Sequence, residues 1–285
     1  MKSRIPARII QTARNQDLPL LAKAAIANLR CLHPGFEYRF FDDEAVIAFI
    51  RSEFPEYLDI FDRLPLRIQK CDFFRYLAVY RLGGFYFDLD VFFAMSLDQL
   101  PITTCIFPFE ELTISRYLRH RGIDWEIGNY AFGAVAGHPF LQTVIENCVR
   151  AQQSPAWVEP MMRGIPHLLR GEFYVLNTTG PGLLSRTLAE NPELAKDVTI
   201  LFPDDVCDER AWHQFGNFGV HLQEGSWRSK HGYLRRRLAS LWEFRARRRL
   251  HRESRALGRT RSMASVTEIK AQRSEVAGLI VAADL

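Results

Sequence analysis

The sequence has few cysteines and no recognisable cysteine motif. Its 285 residues include five cysteines, and no two of them have the spacing of a redox pair or a zinc site. An odd number of scattered cysteines does not fit a disulfide framework. Cys71, Cys105 and Cys148 also have apolar neighbours in the sequence. We therefore expect buried free thiols and a reducing compartment.

Long apolar runs are absent as well. No uninterrupted stretch approaches the roughly 20 residues that a membrane-spanning helix needs. Residues 1–14 contain basic side chains but lack the apolar core of a secretory signal. These features predict a cytoplasmic protein, located at most peripherally on the inner face of a membrane.

The net charge of +4 is small, but it is unevenly distributed along the chain. Residues 1–227 carry a net −6, and residues 228–285 carry a net +10. The overall composition, 47% hydrophobic and 25% charged, is that of a globular protein and excludes a mainly disordered chain. We interpret 1–227 as one catalytic domain and 228–285 as a basic, helical and partly disordered extension.

The extension has an amphipathic pattern. Leu234, Leu238, Leu241 and Trp242 follow helical spacing, and most of the arginines fall elsewhere. Such a helix could contact an anionic membrane surface peripherally, or pack its apolar stripe on the catalytic domain. No nucleic-acid reading motif is present, so no nucleic-acid partner is expected.

The order of elements predicts an α/β domain with a mainly parallel sheet. A strand at 5–12, a helix at 19–32, a strand at 36–41 and a helix at 44–51 alternate at the start. A helix at 67–82 is ended by Gly83-Gly84, and a strand at 85–87 follows. Later elements are expected as strands at 105–109, 130–136 and 199–203, and as helices ending at 150 and spanning 183–190.

Two acidic residues follow the strand at 85–87. If the strand continues, Asp88 and Asp90 point to the same face and can meet one ligand. Carboxylates beside so many aromatic residues need compensation, and a divalent cation such as Mn²⁺ or Mg²⁺ would supply it. The alternative is a solvated acidic pair at a strand end.

A second polar pair lies on the preceding helix. Asp72 and Arg75 are three residues apart, so they share one helix face. The carboxylate accepts hydrogen bonds and the guanidinium donates them, which suits the vicinal hydroxyls of a sugar. The alternative is a surface ion pair of little energetic value.

Asp72-Phe73-Phe74-Arg75, followed by Gly83-Gly84-Phe85-Tyr86-Phe87-Asp88-Leu89-Asp90, closely resembles the DxD region of glycosyltransferase family 32. That family includes yeast outer-chain mannosyltransferases and shares this segment with clostridial glucosylating toxins. Further motifs in family order extend the resemblance over residues 5–227, at 5–12, 33–38, 129–140, 179–181 and 221–227. Ile10 and His33 depart from the family pattern, which usually has His and Asn there.

The resemblance implies a GT-A fold, an open mixed sheet flanked by helices, that binds a UDP- or GDP-sugar at the carboxyl edge of the sheet. It implies a metal site of Asp88, Asp90 and His221 holding Mn²⁺ or Mg²⁺. It also implies that the donor contacts further residues, namely Gln11, Thr12, Asp72, Arg75, Tyr86, Asp88, Asn129, Ser226 and Trp227.

Together these features predict a metal-dependent glycosyltransferase that moves a hexose to a glycan, glycolipid or other hydroxyl acceptor, and the resemblance implies that it retains the anomeric configuration. No residue is identified as a nucleophile, because attack by the acceptor on the same face as the leaving group needs none. Glu126 is interpreted as a solvated loop residue rather than as a pocket carboxylate. The alternatives are a haloacid-dehalogenase-like phosphatase using Asp88 and Asp90, and a sugar-binding protein without catalysis.

Overall fold

The computed structural model describes residues 4–223. The expected domain boundary after residue 227, the donor contacts Ser226 and Trp227, and the basic extension 228–285 lie outside the described residues. None of the helices within residues 4–223 is both long and apolar enough to cross a membrane.

Ten strands form within the described residues. They are β1 Arg8–Thr12, β2 Glu37–Phe41, β3 Gly84–Phe87, β4 Val91–Phe93, β5 Cys105–Leu112, β6 Trp125–Ile127, β7 Ala131–Ala134, β8 Thr199–Leu201, β9 Gln214–Phe215 and β10 Gly219–His221.

Ten α-helices accompany the strands in the same part of the chain. They are α1 Leu20–Leu32, α2 Asp43–Glu53, α3 Leu58–Arg63, α4 Arg67–Leu82, α5 Arg116–Arg119, α6 Pro139–Gln153, α7 Pro155–Met162, α8 Arg170–Thr178, α9 Pro181–Glu190 and α10 Pro192–Ala195.

The main sheet is mixed and open. Its strand order is β2-β1-β3-β7-β5-β6, and β8 pairs with β5. Strands β2, β1 and β3 run parallel, whereas β7 lies antiparallel to both β3 and β5. A small second sheet has the order β4-β10-β9. The predicted fold class, an open mixed α/β sheet flanked by helices, is confirmed. The expectation of a mainly parallel sheet is wrong, because β7 and β6 pair antiparallel with their neighbours.

Helix α4 and the glycines after it set the position of the acidic motif. The helix ends at Leu82, as the sequence predicts, because Gly83 has a φ of +64° that side chains with a Cβ rarely adopt. A Cβ on Gly84 would lie 2.6 Å from the carbonyl oxygen of Arg8. The bare backbone therefore lets β3 pair closely with β1, and this pairing aims the end of β3 at the carboxyl edge of the sheet.

Aromatic side chains fill the space between the sheet and α4. Phe107 and Phe132 stack with their ring centres 5.1 Å apart, and Tyr76 and Tyr86 pack against Phe132. All four side chains are almost completely buried. Offset and tilted aromatic contacts of this kind stabilise a core beyond the area that they bury. The hydroxyl of Tyr86 contacts Asp88, and the hydroxyl of Tyr76 contacts Asn129 and Thr179, which are described next.

All five cysteines lie within the described residues and are free thiols, as the sequence predicts. Cys105 and Cys148 are buried as expected, Cys71 and Cys207 are half-buried, and Cys31 is exposed, so the expectation of burial is wrong for Cys31. Burial raises the pKa of the Cys71 thiol to about 11, so it is protonated at neutral pH.

Candidate active site

The acidic motif is a turn and not part of a strand. Strand β3 ends at Phe87, and Asp88, Leu89 and Asp90 connect it to β4. The prediction that strand alternation places both carboxylates on one face is therefore wrong in its geometry. The backbone N–H of Asp88 donates to the carbonyl oxygen of Tyr130 at 2.7 Å, and that of Val91 donates to the Asp88 carbonyl at 3.3 Å. These bonds fix the turn at the end of the sheet.

The turn nevertheless brings both carboxylates to one point, where a histidine from the end of the domain joins them. One ligand atom each from Asp88, Asp90 and His221 lie within 4.8 Å of one another. His221 Nε2 lies 3.2 Å from Asp90 Oδ1. Two carboxylates and an imidazole form a donor set that suits Mn²⁺, and with added waters or phosphate oxygens also Mg²⁺.

The pairing of β10 explains why His221 arrives there. Strand β10 runs antiparallel to β4, so His221 lies opposite Val91, the residue after the acidic turn. The N–H of Leu222 donates to the carbonyl oxygen of Asp90 at 3.0 Å. The imidazole stacks on the ring of Tyr130 with centres 4.3 Å apart and an angle of 15°. The backbone register and the aromatic stack thus orient this side chain toward Asp90.

Arg75 lies behind the acidic turn and joins two carboxylates. Its side chain is 3% exposed, and its Nη2 lies 3.2 Å from Asp72 Oδ1 and 3.3 Å from Asp88 Oδ1. Its Nη1 donates to the carbonyl oxygen of Asn129 at 2.7 Å. The guanidinium also lies over the ring of Tyr86, 4.6 Å from its centre. The predicted Asp72–Arg75 pair is thus a buried pair, and the surface alternative is wrong.

Two neutral donors and a tyrosine complete the surroundings of Asp72. The side-chain amide of Asn129 donates to Asp72 Oδ1 at 3.0 Å, and the hydroxyl of Thr179 donates to Oδ2 at 2.9 Å. The same amide donates to the hydroxyl of Tyr76 at 3.1 Å, and that hydroxyl donates to the carbonyl oxygen of Thr179 at 2.7 Å. Both oxygens of Asp72 are therefore held by hydrogen bonds.

Tyr86 and Gln11 support the turn from below. The hydroxyl of Tyr86 donates to Asp88 Oδ1 at 2.9 Å. The amide of Gln11 donates to the carbonyl oxygen at the end of β3 at 3.2 Å and to that of Asp88 at 3.4 Å. Gln11 is fully buried and accepts from the hydroxyl of Tyr38 at 3.0 Å. Donor contacts by Gln11 and Tyr86 stay predictions, and in the structure both residues brace the acidic turn.

Thr12 lies next to Gln11 at the end of β1. Its hydroxyl donates to the carbonyl oxygen of Phe41 at 2.8 Å, and the residue is 9% exposed. The structure therefore places it at the carboxyl edge of the sheet, between β1 and the end of β2. Its contact with the donor also stays a prediction.

Burial shifts the pKa values of the acidic groups upward. It raises the pKa of Asp72 to about 6, although Arg75 and the Thr179 hydroxyl favour the ionised form. Burial likewise raises the pKa of Asp88, against the opposing effect of Arg75. Burial also lowers the pKa of His221, but the hydrogen bond to Asp90 and the charge of Asp88 outweigh it, so the pKa is raised overall.

The pKa of Arg75 moves in the direction that favours its charge. Burial opposes that charge, but Asp88, Tyr86 and Asp72 together raise the pKa well above its ordinary value. The guanidinium therefore stays charged at every pH relevant to the protein and provides the fixed positive charge of the site.

A cavity of about 240 Å³ is lined by residues of β5, β6, α7 and α8. Four glutamates contribute to its wall, namely Glu110, Glu111, Glu126 and Glu172. We call this space the glutamate cavity. His213 Nδ1 lies 3.2 Å from Glu110 Oε1 at its border.

Glu126 is on β6 and lines this cavity, so its interpretation as a solvated loop residue is wrong. It accepts a hydrogen bond from the hydroxyl of Thr113. Burial raises its pKa to about 8, and the neighbouring charges of Glu111 and Glu110 act in the same direction. The carboxyl group is therefore largely protonated at neutral pH and can donate a hydrogen bond.

Several residues of the candidate active site were not identified from the sequence. Tyr76 and Thr179 hold Asn129 and Asp72, and Tyr130 stacks on His221. The only sequence signal for Thr179 is the Thr-Gly-Pro motif that resembles the family pattern. Tyr130 lies within the 129–140 motif that resembles the family pattern, whereas Tyr76 carries no local signal and has the sequence surroundings of an ordinary core aromatic.

The chain matches a known family model and curated relatives. The model described as "Glycosyltransferase sugar-binding region containing DXD motif" matches residues 19–107. Inositol phosphoceramide mannosyltransferase 3 of Schizosaccharomyces pombe is 34% identical over 146 residues, 51% of this chain and 38% of that protein. Mannosyl phosphorylinositol ceramide synthase SUR1 of Saccharomyces cerevisiae is 28% identical over 181 residues, 64% of this chain and 41% of that protein.

The chain thus spans about 40% of the length of these relatives. Among solved structures, the UDP-bound glycosyltransferase domain of the YGT toxin is similar with a TM-score of 0.48 and 9% identity, covering 69% of this chain and 79% of that one. The matched region ends within β5 and includes Asp72, Arg75 and the acidic turn. Residues 19–107 therefore match a sugar-binding region that contains the DXD motif, and the chain is similar to named mannosyltransferases over 51–64% of its length.

Proposed function

We propose that this domain is a metal-dependent, retaining glycosyltransferase that moves a hexose from a UDP- or GDP-sugar to a hydroxyl group of a glycan or lipid-linked acceptor. The observation that carries the proposal is the meeting of Asp88, Asp90 and His221 beside the buried Asp72–Arg75 pair. Mannose is the first sugar to test, because the matched relatives from both yeasts are named for mannosyl transfer.

The residues present fit a divalent cation. Asp88, Asp90 and His221 bring two carboxyl groups and an imidazole to one point, and oxygen and nitrogen ligands of this kind suit Mn²⁺ and Mg²⁺. Asp88, Asp90 and His221 would hold Mn²⁺ or Mg²⁺. When bound, the cation would stabilise the negative charge that develops on the departing diphosphate.

The donor sugar is expected to lie against Asp72 and Arg75. Asp72 can accept from sugar hydroxyls, because Arg75, Asn129 and Thr179 help to keep its carboxylate ionised and fixed. Holding the ring in this way positions its anomeric carbon toward the acceptor, which lowers the entropic part of the barrier. The bond between that carbon and the diphosphate oxygen breaks as the acceptor oxygen bonds to the carbon. The acceptor proton passes to the departing phosphate, so no protein nucleophile is needed.

The test is a panel of UDP- and GDP-sugars, including GDP-mannose, with Mn²⁺ or Mg²⁺. Donor hydrolysis and the shift in melting temperature are measured for the wild type and for Asp90→Ala. We expect one donor to stabilise the protein only in the presence of metal, and Asp90→Ala to reduce turnover by about 10²–10³-fold. Asp62→Ala removes an exposed carboxylate elsewhere and serves as the matched control.

No stabilisation by any nucleotide-sugar, or full turnover in Asp90→Ala, would contradict the proposal. Release of phosphate from a simple phosphomonoester would instead support the phosphatase hypothesis. Nucleotide-dependent stabilisation without hydrolysis or transfer would support sugar binding without catalysis. The matches among named glycosyltransferases favour glycosyl transfer over both alternatives.

Location at the inner face of a membrane is also a proposal, and it is supported only by the basic composition of residues 228–285. Sedimentation with anionic liposomes can test it by comparing the full chain with a chain that ends at Ser229. Equal sedimentation of both chains would contradict a membrane contact through the extension.

A further inference from the structure

Tyr130, in the connection between β6 and β7, contacts both parts of the proposed metal site. Its carbonyl oxygen accepts the backbone N–H of Asp88 at 2.7 Å, which fixes the start of the acidic turn. Its ring stacks on the imidazole of His221, with centres 4.3 Å apart and an angle of 15° between the planes. The acidic turn follows β3, whereas His221 ends β10, more than 130 residues later. Tyr130 therefore joins two segments that are distant in the sequence.

The imidazole of His221 lacks the hydrogen bond that usually fixes a metal-binding histidine. Such a histidine normally donates the N–H of its second ring nitrogen to a carboxylate or carbonyl oxygen. Nε2 of His221 faces Asp90 Oδ1 at 3.2 Å, whereas Nδ1 is buried and has no hydrogen-bond partner within residues 4–223. The stack on Tyr130 therefore supplies the orientation that a hydrogen bond supplies in other metal sites.

The ring of Tyr130, and not its hydroxyl, makes this contact. The residue is 2% exposed, and its hydroxyl is buried without a hydrogen-bond partner in the described part of the chain. The face of the ring lies parallel to the imidazole within 15°. Phenylalanine has the same ring face, so it should orient His221 as well as tyrosine does.

Gly128 leaves the space that the ring of Tyr130 occupies. A Cβ at position 128 would lie 2.5 Å from Tyr130 Cε1 and 2.3 Å from Glu110 Oε2. The carboxylate oxygen is the end of a flexible side chain and can move away. The aromatic ring is rigid and closely packed, so a Cβ at this position would push it from its place on His221.

We propose that Tyr130 is a positioning residue for the metal site: its carbonyl oxygen holds the acidic turn, and its ring holds the imidazole of His221 toward Asp90. This inference rests on the proposed function, because it assumes that Asp88, Asp90 and His221 bind a divalent cation. Tyr130 acts through His221 and contributes no ligand of its own. It therefore determines how tightly the cation binds.

The test measures Mn²⁺ binding to the full chain without donor, from the electron paramagnetic resonance signal of the free ion. Tyr130→Leu removes the ring but leaves the carbonyl oxygen, and it should weaken Mn²⁺ binding by about tenfold or more. Tyr130→Phe keeps the ring and should retain the wild-type affinity. In a His221→Gln background, Tyr130→Leu should cause no further loss, because it acts through that imidazole.

Phe140→Leu is the matched control, because this side chain is fully buried in the core and packs edge-on against Phe107. Both leucine variants should lower the melting temperature of the metal-free protein, whereas only Tyr130→Leu should weaken Mn²⁺ binding. A similar loss of affinity in Phe140→Leu would show that general destabilisation causes the effect, and the inference would be wrong. Should Tyr130→Leu fail to fold, Gly128→Ala takes its place, and wild-type Mn²⁺ affinity in that variant would contradict the inference.

Wild-type affinity in Tyr130→Leu, or equal losses in Tyr130→Phe and Tyr130→Leu, would overturn the inference. A further loss caused by Tyr130→Leu in the His221→Gln background would do the same. In these cases the proposed function would stand, because the wild type would still bind Mn²⁺. Absence of Mn²⁺ binding by the wild type, alone or with UDP, would instead contradict the metal dependence of the proposed function. NMR then tests the positioning directly, and nuclear Overhauser contacts between His221 and Asp90 that persist in Tyr130→Leu would overturn the inference.

Discussion

Two neighbouring groups of acids in this domain are stabilised in opposite ways. Asp72 and Asp88 contact the guanidinium of Arg75, and Asp90 lies beside His221. The glutamate cavity has no such guanidinium in its described lining. Burial raises the pKa of Asp72 to about 6 and that of Glu126 to about 8.

At neutral pH, Asp72 is therefore mostly ionised and Glu126 mostly protonated. The comparison shows that burial by itself does not determine the charge of a carboxyl group. The charges around it decide whether it accepts hydrogen bonds from a substrate or donates one.

The largest expected effect comes from removing the guanidinium group of Arg75, which contacts Asp72 and Asp88. Arg75→Met would leave the buried Asp72 and the half-buried Asp88 without their partner and should lower the free energy of unfolding by about 3–5 kcal/mol. Urea unfolding measures this loss. Arg81→Met is the control, because Arg81 lies on the same helix but pairs with Glu53 at the surface. That pair should contribute about 0–1 kcal/mol, and equal losses in the two variants would contradict the comparison.

A smaller effect is expected from the histidine of the proposed metal site. His221→Gln should raise the Mn²⁺ concentration needed for half-maximal donor hydrolysis by about tenfold or more, because one of three ligands is replaced by a weaker one. Metal titration of hydrolysis, together with the metal-dependent melting shift, measures the change. The exposed His120→Gln should keep the wild-type requirement. An unchanged requirement in His221→Gln would show that His221 holds no metal.

Thr179→Val tests how the ionised state of Asp72 is maintained. The Thr179 hydroxyl lowers the pKa of Asp72 by donating to its carboxylate, so its loss should raise that pKa further above 6. The acidic limb of the pH–rate profile should move to higher pH, and stability should fall by about 1.5–3 kcal/mol. Thr143→Val, whose hydroxyl donates only within its own helix, is the control. A pH profile that does not move would argue against a role for Asp72 ionisation.

The smallest effect is expected at Glu126 in the glutamate cavity. Its substitution should stabilise the protein, whereas the substitutions of Arg75 and Thr179 should destabilise it. The pKa of Glu126 is raised from 4.5 to about 8, so the folded state binds more protons than the unfolded state between these values. Its contribution to stability therefore falls as the pH rises from about 4.5 to about 8. Glu126→Gln removes the cost of ionising a buried carboxyl group, so it should raise the melting temperature above pH 8 by about 2–4 °C. A melting temperature that is lower at pH 9 would contradict the protonated state of Glu126.

The parts of the fold that were predicted correctly depend on local signals. Helix α4 was predicted with its observed bounds, because Gly83 ends it in a conformation that glycine readily adopts. Asp72 and Arg75 were placed on one face from their spacing alone. The acidic pair was recognised from its aromatic neighbours, but the turn that carries it was read as a strand. Helices α7 and α8 were missed, since prolines and mixed polarity obscure their helical periodicity.

The rest of the site depends on contacts between distant segments. Thr179 bonds to a residue 107 positions before it, and Asn129 to the same residue 57 positions before it. Local periodicity contains no information about such pairs. Glu126 was assigned to a solvated loop, although the cavity that it lines includes residues of α7 and α8, which follow much later in the chain. The resemblance to the family supplied His221, and only the pairing of β10 with β4 explains its position.

The pairing of β10 with β4 also determines when His221 can join the acidic turn during synthesis of the chain. Asp88 and Asp90 leave the ribosome more than 130 residues before His221, so a nascent chain carries the acids long before it carries their partner. Bound metal and nucleotide would hold β10 on β4 and slow the exchange of the amide hydrogens that join these strands. The N–H groups of Leu222 and Ala94 donate to the carbonyl oxygens of Asp90 and Phe218 across this pairing, so hydrogen exchange at these two amides should report ligand occupancy.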